Sequence, residues 1–434
     1  MNIFIRKKSP VISSREKSVF SLVRYIVGSN FITLFIRLIS GILQARLVSP
    51  TTLGLFNSFG LVLQYAPFLQ LGIQSGLYRE LPYQIGKGDR EGALELASAA
   101  QAWALLLATA TSILMLGIAL WYLANAEFYY AAGWFTNSIL AIVLFYNTNY
   151  LQITYRTSQD FKKLAVVNVI DSIAGLFLLL LVAWLNYYGL CLRAILIGIL
   201  GTSLLFIWRP LPVSPNWNLK HLKHLFKIGL PIFVVGQIYS FWSALNLTLV
   251  LKFTGVEGVG LFAIVTMATS ALEFIPSAVN SVLFPRMAER YGENGSILKL
   301  LEYATKPILL TFLVMLLVLL PSWFMIDPVI ELLLPNYSAA IPAVQWGLTI
   351  VAVSSFYPVN SILQISGNQM YYGVSLALGI FFYIGILLWS TAESISLESF
   401  TQAMLCGRII FAISSILSAF YLSKQPLRRV SNGK

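Results

Sequence analysis

The run ILLTFLVMLLVLL, residues 308–320, has no charge and one hydroxyl in thirteen positions, and LLLLVAWL at 178–185 is still more apolar. A surface helix of a soluble protein would show a polar face at a 3.6-residue period, and a membrane β-barrel strand would alternate polar and apolar residues. Neither pattern is present. Working outward, 58% of the 434 residues are hydrophobic and 11% charged, against about 25% charged in an ordinary soluble domain. A soluble fold of this length would have to present that apolar surface to water. Lipid accepts it, provided that helices satisfy the backbone internally.

Twelve segments reach the roughly 20 residues needed to cross a bilayer: Phe20–Gln44, Leu53–Tyr78, Ala93–Tyr122, Ala131–Tyr155, Leu164–Asn186, Leu190–Trp208, Ile228–Phe253, Val256–Phe284, Ala304–Ile326, Ala340–Gln364, Tyr371–Trp389 and Phe400–Leu422. With the N-terminus in the cytoplasm, 23 of the 29 Lys and Arg residues fall in cytoplasmic segments. Arg46, Arg193 and Lys252 sit at outer ends, and Arg24, Arg37 and Arg408 lie within spans. This asymmetry is the positive-inside pattern, so both termini are expected in the cytoplasm. It also accounts for the net charge of +12 without any nucleic-acid partner. The first apolar segment is too long for a cleavable signal peptide. Cys191 and Cys406 fall in separate spans, which suggests neither a disulfide framework nor a metal cluster.

The chain repeats itself. Shifted by 206 positions, Gly54-Leu55-Phe56 falls on Gly260-Leu261-Phe262, Arg46 on Lys252 and Gly86 on Gly292; six positions more bring Leu151-Gln152-Ile153 onto Leu363-Gln364-Ile365. An even number of spans per unit makes a parallel repeat. The expected organisation is a six-helix lobe over 1–209, a cytoplasmic amphipathic linker over 210–227, a second six-helix lobe over 228–422 and a cytoplasmic tail over 423–434. In the linker, Asn218 is an N-cap for a short helix whose Leu219, Leu222, Leu225 and Phe226 would lie on the inner leaflet. Its His221 and His224 have no acidic or Cys neighbour in sequence, which argues against a metal site or pH sensor.

Polar residues inside apolar spans mark the interior. Asn30, Thr33, Arg37, Ser40 and Gln44 share one face of the first span, and Thr266, Ser270, Glu273, Ser277 and Asn280 repeat the spacing in the eighth. Tyr239, Ser243 and Asn246 occupy the matching face of the seventh; Gln64, Gln364 and Arg408 add to the second, tenth and twelfth. Hydroxyl stripes also serve as helix–helix glue, and an Arg–Glu ion pair is the structural alternative for the charges. A charge at mid-membrane costs about 2.5–3.5 kcal/mol on insertion scales, so such residues usually face a cavity or a partner. The expected cavity residues are therefore Arg37, Asn30, Gln44, Arg408, Tyr239, Asn246, Gln64 and Gln364. Arg24 can instead snorkel to headgroups, and Asp171 can favour a helix start. Pro67, Pro231, Pro276 and Pro358 are positioned to kink spans.

The segments QARLVSPTTLGLFNSFGLVLQ (Gln44–Gln64), LGIQSGLYRELPYQIGKGD (Leu71–Asp89), LKHLFKIGLP (Leu222–Pro231), EGVGLFAIV (Glu257–Val265) and FPRMAERYGENG (Phe284–Gly295) resemble the polysaccharide transporter, or oligosaccharide–lipid flippase, family of the multidrug/oligosaccharidyl-lipid/polysaccharide exporter superfamily. The resemblance implies an alternating-access transporter, not an enzyme, in the bacterial inner membrane. It would move undecaprenyl-diphosphate-linked oligosaccharide outward for O-antigen, capsule or exopolysaccharide assembly. Its partners would be that lipid-linked sugar, membrane lipids and other polysaccharide-assembly proteins, with the transporter itself a monomer. Arg37, Arg408, Arg24 and Arg46 are the positions that fit the family's cavity arginines and would meet the diphosphate.

Glu273 and Asp171 are candidates for coupling a proton or sodium ion, with membrane potential as a further driver; no cofactor is implied. Two other functions fit less well: a cation-coupled drug exporter of the same superfamily, which would favour an acidic cavity, and a membrane glycan polymerase or ligase. The latter needs clustered outer acids, and only Glu127, Glu257, Asp327, Glu331, Glu393 and Glu398 are available. No GxxxxGK[ST] motif for ATP occurs. The charge asymmetry yields a direct test. In a background lacking Cys191 and Cys406, Ser9→Cys and Ser431→Cys should react with an impermeant maleimide only after cells are lysed.

Overall fold

A computed structural model of the chain describes residues 19–390 and 396–425, and every regular element among them is helical. The helices are α1 (Val19–Leu47), α2 (Pro50–Tyr65), α3 (Ile73–Lys87), α4 (Arg90–Ala124), α5 (Phe128–Ile142), α6 (Gln152–Thr157), α7 (Phe161–Phe177), α8 (Leu179–Leu185), α9 (Tyr187–Ile207), α10 (Leu219–Asn294), α11 (Ile297–Leu333), α12 (Ile341–Val353), α13 (Tyr357–Ile365), α14 (Gln369–Ser390) and α15 (Leu397–Ser423). Ten described stretches are long and apolar enough to cross a membrane. One of these, α10, crosses twice. A further crossing, α2 with α3, is interrupted between its halves, which brings the described crossings to twelve.

At its 76 residues α10 would be far longer than a bilayer is thick if it ran straight. It turns back at Gly255, whose φ of 72° and ψ of −169° suit glycine alone. The side chains show the reversal: Arg408 bonds Tyr239 on the first limb, and Tyr357, beside Arg408, bonds Glu273 on the second. Four other crossings are also broken, the fifth by a turn at Leu178 between α7 and α8. The second has a 3-10 turn at Ala66–Gln70, containing Pro67, and left-handed Leu71 and Gly72 before α3. The fourth carries a π-helical stretch, Val143–Leu151, and the tenth a 3-10 turn, Ser354–Phe356, just before Pro358. With the repeat offset of 212 (363 − 151), the last two irregularities begin within one residue of each other.

Two buried clusters dominate, one centred in each half, and the second also takes in Ala45, Val48, Leu53 and Leu190 of the first half. In the first, Leu77, Ala97, Ala100, Tyr150 and Tyr155 pack together; in the second, Trp242, Met287, Val344, Tyr383 and Phe400 do so. The run that opens the sequence reading forms the outer wall: Leu309, Leu310, Leu313, Leu317 and Leu320 of α11 are exposed for lipid to cover. Asn218 caps α10 as expected, accepting from Lys220 N and His221 N. The helix that follows does not lie apart on a membrane surface, however. It runs directly into the seventh crossing, and its Leu222 and Leu225 are buried in the first lobe's core. Only Leu219 and Phe226 of its apolar face remain exposed.

The lobes touch backbone to backbone along α2, α3 and α10. A Cβ on Gly54 would stand 1.8 Å from the Val256 carbonyl, and one on Gly260 1.8 Å from the Pro50 carbonyl. At the far end of the same seam a Cβ on Gly76 would meet the Leu225 carbonyl at 2.2 Å, and one on Gly229 the Gly72 carbonyl at 1.9 Å. Between them, Tyr65 and Thr248 share a hydroxyl hydrogen bond of 2.7 Å, and Phe68 packs edge-on against Phe233 and Phe241. Side chains cannot be inserted there without parting the lobes. Gly54→Val or Gly229→Val should lower the melting temperature and the yield of folded protein, at a cost of about 1–3 kcal/mol or more. Gly60→Ala, with open space around it, should leave thermal unfolding of the purified protein unchanged.

Candidate functional site

A cavity of about 470 Å³ lies between the lobes, close to the Gly54–Gly260 crossing. The first lobe supplies Gln44, Asn57, Gln64, Thr136 and Asn137, and the second lobe Thr266, Ser270 and Met267. Asn137 is held in place by donating to the Phe59 carbonyl at 2.9 Å. No Asp, Glu, Lys or Arg is among the lining residues. Amides and hydroxyls without a formal charge suit neutral, multiply hydroxylated molecules. At the rim, Tyr337 donates to the Val48 carbonyl at 3.1 Å and joins the lobes on the Pro50 side.

Arg37 stands one turn from that lining. Its Nε donates to Ser172 Oγ on α7 at 3.2 Å, and its terminal nitrogens form no other bond among the described residues. The side chain is exposed although it shares a helix face with buried Thr33 and Ser40. Asp171 is the adjacent residue of α7 and feels the Arg37 charge. It lies in the second half of that helix, not at its start, so the helix dipole is not what holds it. Its Oδ1 is buried with no hydrogen-bond partner.

Ser40 and Gln44 face a different arginine. Arg193 of α9 donates to Gln44 Oε1 at 2.6 Å, Ser40 Oγ at 2.8 Å and the Gly175 carbonyl at 2.8 Å. One guanidinium thus ties α1, α7 and α9 together, which suits the planar fork of Arg. The helix 1 stripe therefore packs largely within its own lobe. Only Gln44 also reaches the cavity. Arg193 escaped the sequence reading because it sits near a span end, where a basic residue looks like a headgroup anchor.

The second lobe holds a polar network of its own. Arg408 is 8% exposed, donates from Nη2 to Tyr239 OH at 3.1 Å, and lies over the rings of Tyr239 and Trp242. Its Nε and Nη1 are buried and unpaired. Glu273 accepts from Tyr357 OH at 3.2 Å and Ser354 Oγ at 3.3 Å, and makes no ion pair with Arg408 within 4 Å among the described residues. Ser361 Oγ donates to Asn280 Oδ1 at 3.0 Å on the same side. Leaving buried donors unmade costs about 1–3 kcal/mol each, so stability alone does not select this arrangement.

The expected cavity set is thus divided. Gln44 and Gln64 line the cavity. Arg408 and Tyr239 lie inside the second lobe instead. Asn246 is buried and taken by Tyr383 OH at 2.7 Å, away from the lining. Asn30, midway along α1, and Arg46 and Gln364, at the ends of their helices, are exposed and are not part of it. The side chain of Arg24 lies outside the described residues, as do the basic residues of both terminal segments except Lys424. Asn57, Thr136 and Asn137 join the site; Thr136 and Asn137 follow the helical face of Gly133, a signal the sequence alone left indistinct. Two of the acids expected at the outer face are engaged locally: Asp327 accepts from Gln345, and Glu398 from Trp346 and Gln402.

Two lobes of six crossings enclose a cavity whose lining is largely apolar, with Leu53, Phe56, Phe59, Leu140, Leu247 and Ile264 beside the patch of amides and hydroxyls. The fold is shared with an inward-facing multidrug resistance MATE family transporter of the MOP superfamily, at 18% identity over 90% of this chain and 94% of that one, with a TM-score of 0.73. An outward-facing transporter of the same description matches at 17% identity over 93% and 95%, with a TM-score of 0.65. A MOP superfamily transporter from Pyrococcus furiosus, described as having a binding pocket of reversed polarity, matches at 17% over 93% and 95%, with a TM-score of 0.66. Curated protein sequences yield no significant match. The family model for polysaccharide biosynthesis proteins matches residues 42–338, and the chain belongs to that family, with the fold that these MOP superfamily structures share.

The Arg193 cluster yields a stability test. Arg193→Ala should remove three charge-assisted hydrogen bonds, each of about 1.5–3 kcal/mol before relaxation. A fall in melting temperature of the detergent-purified protein is expected. Arg193→Lys should recover only part of it, because an ammonium cannot reach the three acceptors as a fork does.

Proposed function

We propose that this protein flips an undecaprenyl-diphosphate-linked oligosaccharide from the inner to the outer leaflet of the bacterial inner membrane, by alternating access, for O-antigen, capsule or exopolysaccharide assembly. The observation that carries the reading is the pairing of an acid-free cavity, largely apolar with a patch of amides and hydroxyls, with a half-free cation, Arg37, one turn away. Sugars exchange hydrogen bonds with Gln44, Asn57, Gln64 and Asn137. The diphosphate finds the terminal nitrogens of Arg37, the geometry that Arg offers to phosphate. The basic face is then cytoplasmic, with both termini on it, and the lobes divide at the 210–227 segment.

Outward movement of two negative charges is favoured by about 2.3 kcal/mol per charge per 100 mV of interior-negative potential. Asp171, with a buried unpaired oxygen beside Arg37, and Glu273, beside Arg408, are the residues placed to exchange a proton or sodium ion as the lobes move. A cavity for cationic drugs would instead carry carboxylates in its lining. The protein works as a monomer, receiving its lipid-linked sugar from the assembly proteins that build it.

In the native host, Arg37→Ala should cut export of the glycan by about tenfold to hundredfold, the loss of one or two charge-assisted hydrogen bonds to phosphate. Lipid-linked sugar should accumulate on the cytoplasmic side while protein abundance stays normal. Normal surface glycan in that variant would remove Arg37 from the mechanism. Deletion of the gene that sensitises cells to cationic dyes and leaves glycan intact would transfer the protein to the drug exporters.

A further inference from the structure

A second cleft, of about 690 Å³, opens on the basic face where three parts of the fold meet. Arg79 comes from α3 of the first lobe, His224 and Lys227 from the first turns of α10, and Gly367 and Gln369 from the turn between α13 and α14 of the second lobe. Below the basic rim the wall turns apolar, with Ile228, Pro231 and Ile232. Lys227 is the last charge before α10 enters its apolar run to Leu251. The cleft therefore spans the boundary between a polar cap and the membrane.

Its charges are unbalanced. Glu80, 7% exposed, accepts from Gln84 at 2.8 Å and faces His224 at 3.5 Å, so that carboxylate is committed to His224. Arg79 and Lys227 have no ion pair among the described residues. The neighbouring cleft lined by Arg286, Glu289, Arg290, Glu293 and Tyr303 is different, because two acids accompany its two arginines. The Gly76–Leu225 backbone contact lies one turn from Arg79 and next to His224, and it fixes the two helices that carry the cations. Like charges held together by a rigid crossing repel unless an anion lies between them.

We propose that this cleft binds the phosphate of an anionic membrane lipid, with Arg79 and Lys227 at the headgroup and the acyl chains along Ile228, Pro231 and Ile232. Basic residues above an apolar wall at the membrane surface are the features such headgroups recognise. The bound lipid touches both lobes and the segment joining them, and so stabilises their junction. The inference is independent of which molecule the central cavity carries.

The test uses the full chain, delipidated in detergent, with thermal unfolding followed as short-chain phosphatidylglycerol is added. Wild type should be stabilised saturably. Arg79→Gln with Lys227→Gln, both exposed positions, should need about tenfold more lipid for the same shift, as expected on losing charge-assisted contacts. Lys162→Gln with Lys220→Gln removes the same charge elsewhere and should respond as wild type. An equal phosphatidylglycerol response in the Arg79/Lys227 variant, or an equal response of wild type to phosphatidylcholine, overturns the proposal. Inorganic phosphate matching phosphatidylglycerol at equal concentration would make the ligand a free phosphate and overturn the lipid assignment.

Discussion

The contact on which the rest depends is the approach of bare backbone to bare backbone along the α2–α3–α10 seam. Gly54 and Gly260 at one end, and Gly72, Gly76 and Gly229 at the other, let two lobes meet without interdigitating side chains. In lipid no hydrophobic force drives helices together, so association rests on close packing of this kind. The middle of the seam is filled by Tyr65, Phe68, Phe233 and Phe241, and the cavity lies towards the Gly54–Gly260 end.

Much of this architecture was legible beforehand. Composition and run length sufficed for helices, crossing number and membrane class, because the bilayer imposes a minimum span and forbids unpaired backbone. The match of Gly54-Leu55-Phe56 with Gly260-Leu261-Phe262 pointed to the very residues that now touch. The site was legible only in part. Helical spacing places Asn30, Thr33, Arg37, Ser40 and Gln44 on one face, but periodicity does not say what that face meets. It meets Ser172 and Arg193 within the same lobe.

The linker helix shows the same limit. Its leucines at 219, 222 and 225 have a membrane-surface pattern, yet a pocket in the first lobe competes with lipid for them, and Leu222 and Leu225 are taken by the protein. The partners of the two histidines were hidden for the same reason. Glu95 stands 3.5 Å from His221 and Glu80 3.5 Å from His224, both more than a hundred residues away in sequence. Contacts between distant segments depend on three-dimensional packing, which local pattern does not encode.

The irregular turns at Val143–Leu151 and Ser354–Phe356 carry a mechanical meaning. A regular α-helix resists bending because each turn is bolted to the next by the same hydrogen-bond ladder. Where the ladder changes pitch, some carbonyls have no regular partner and the rod softens. Both lobes have this softened section at the same place in the duplicated chain, in helices that border the interior. Each lobe therefore has a compliant section at a matching point of the duplicated chain, and the first lobe adds breaks of its own at Ala66–Gly72 and Leu178.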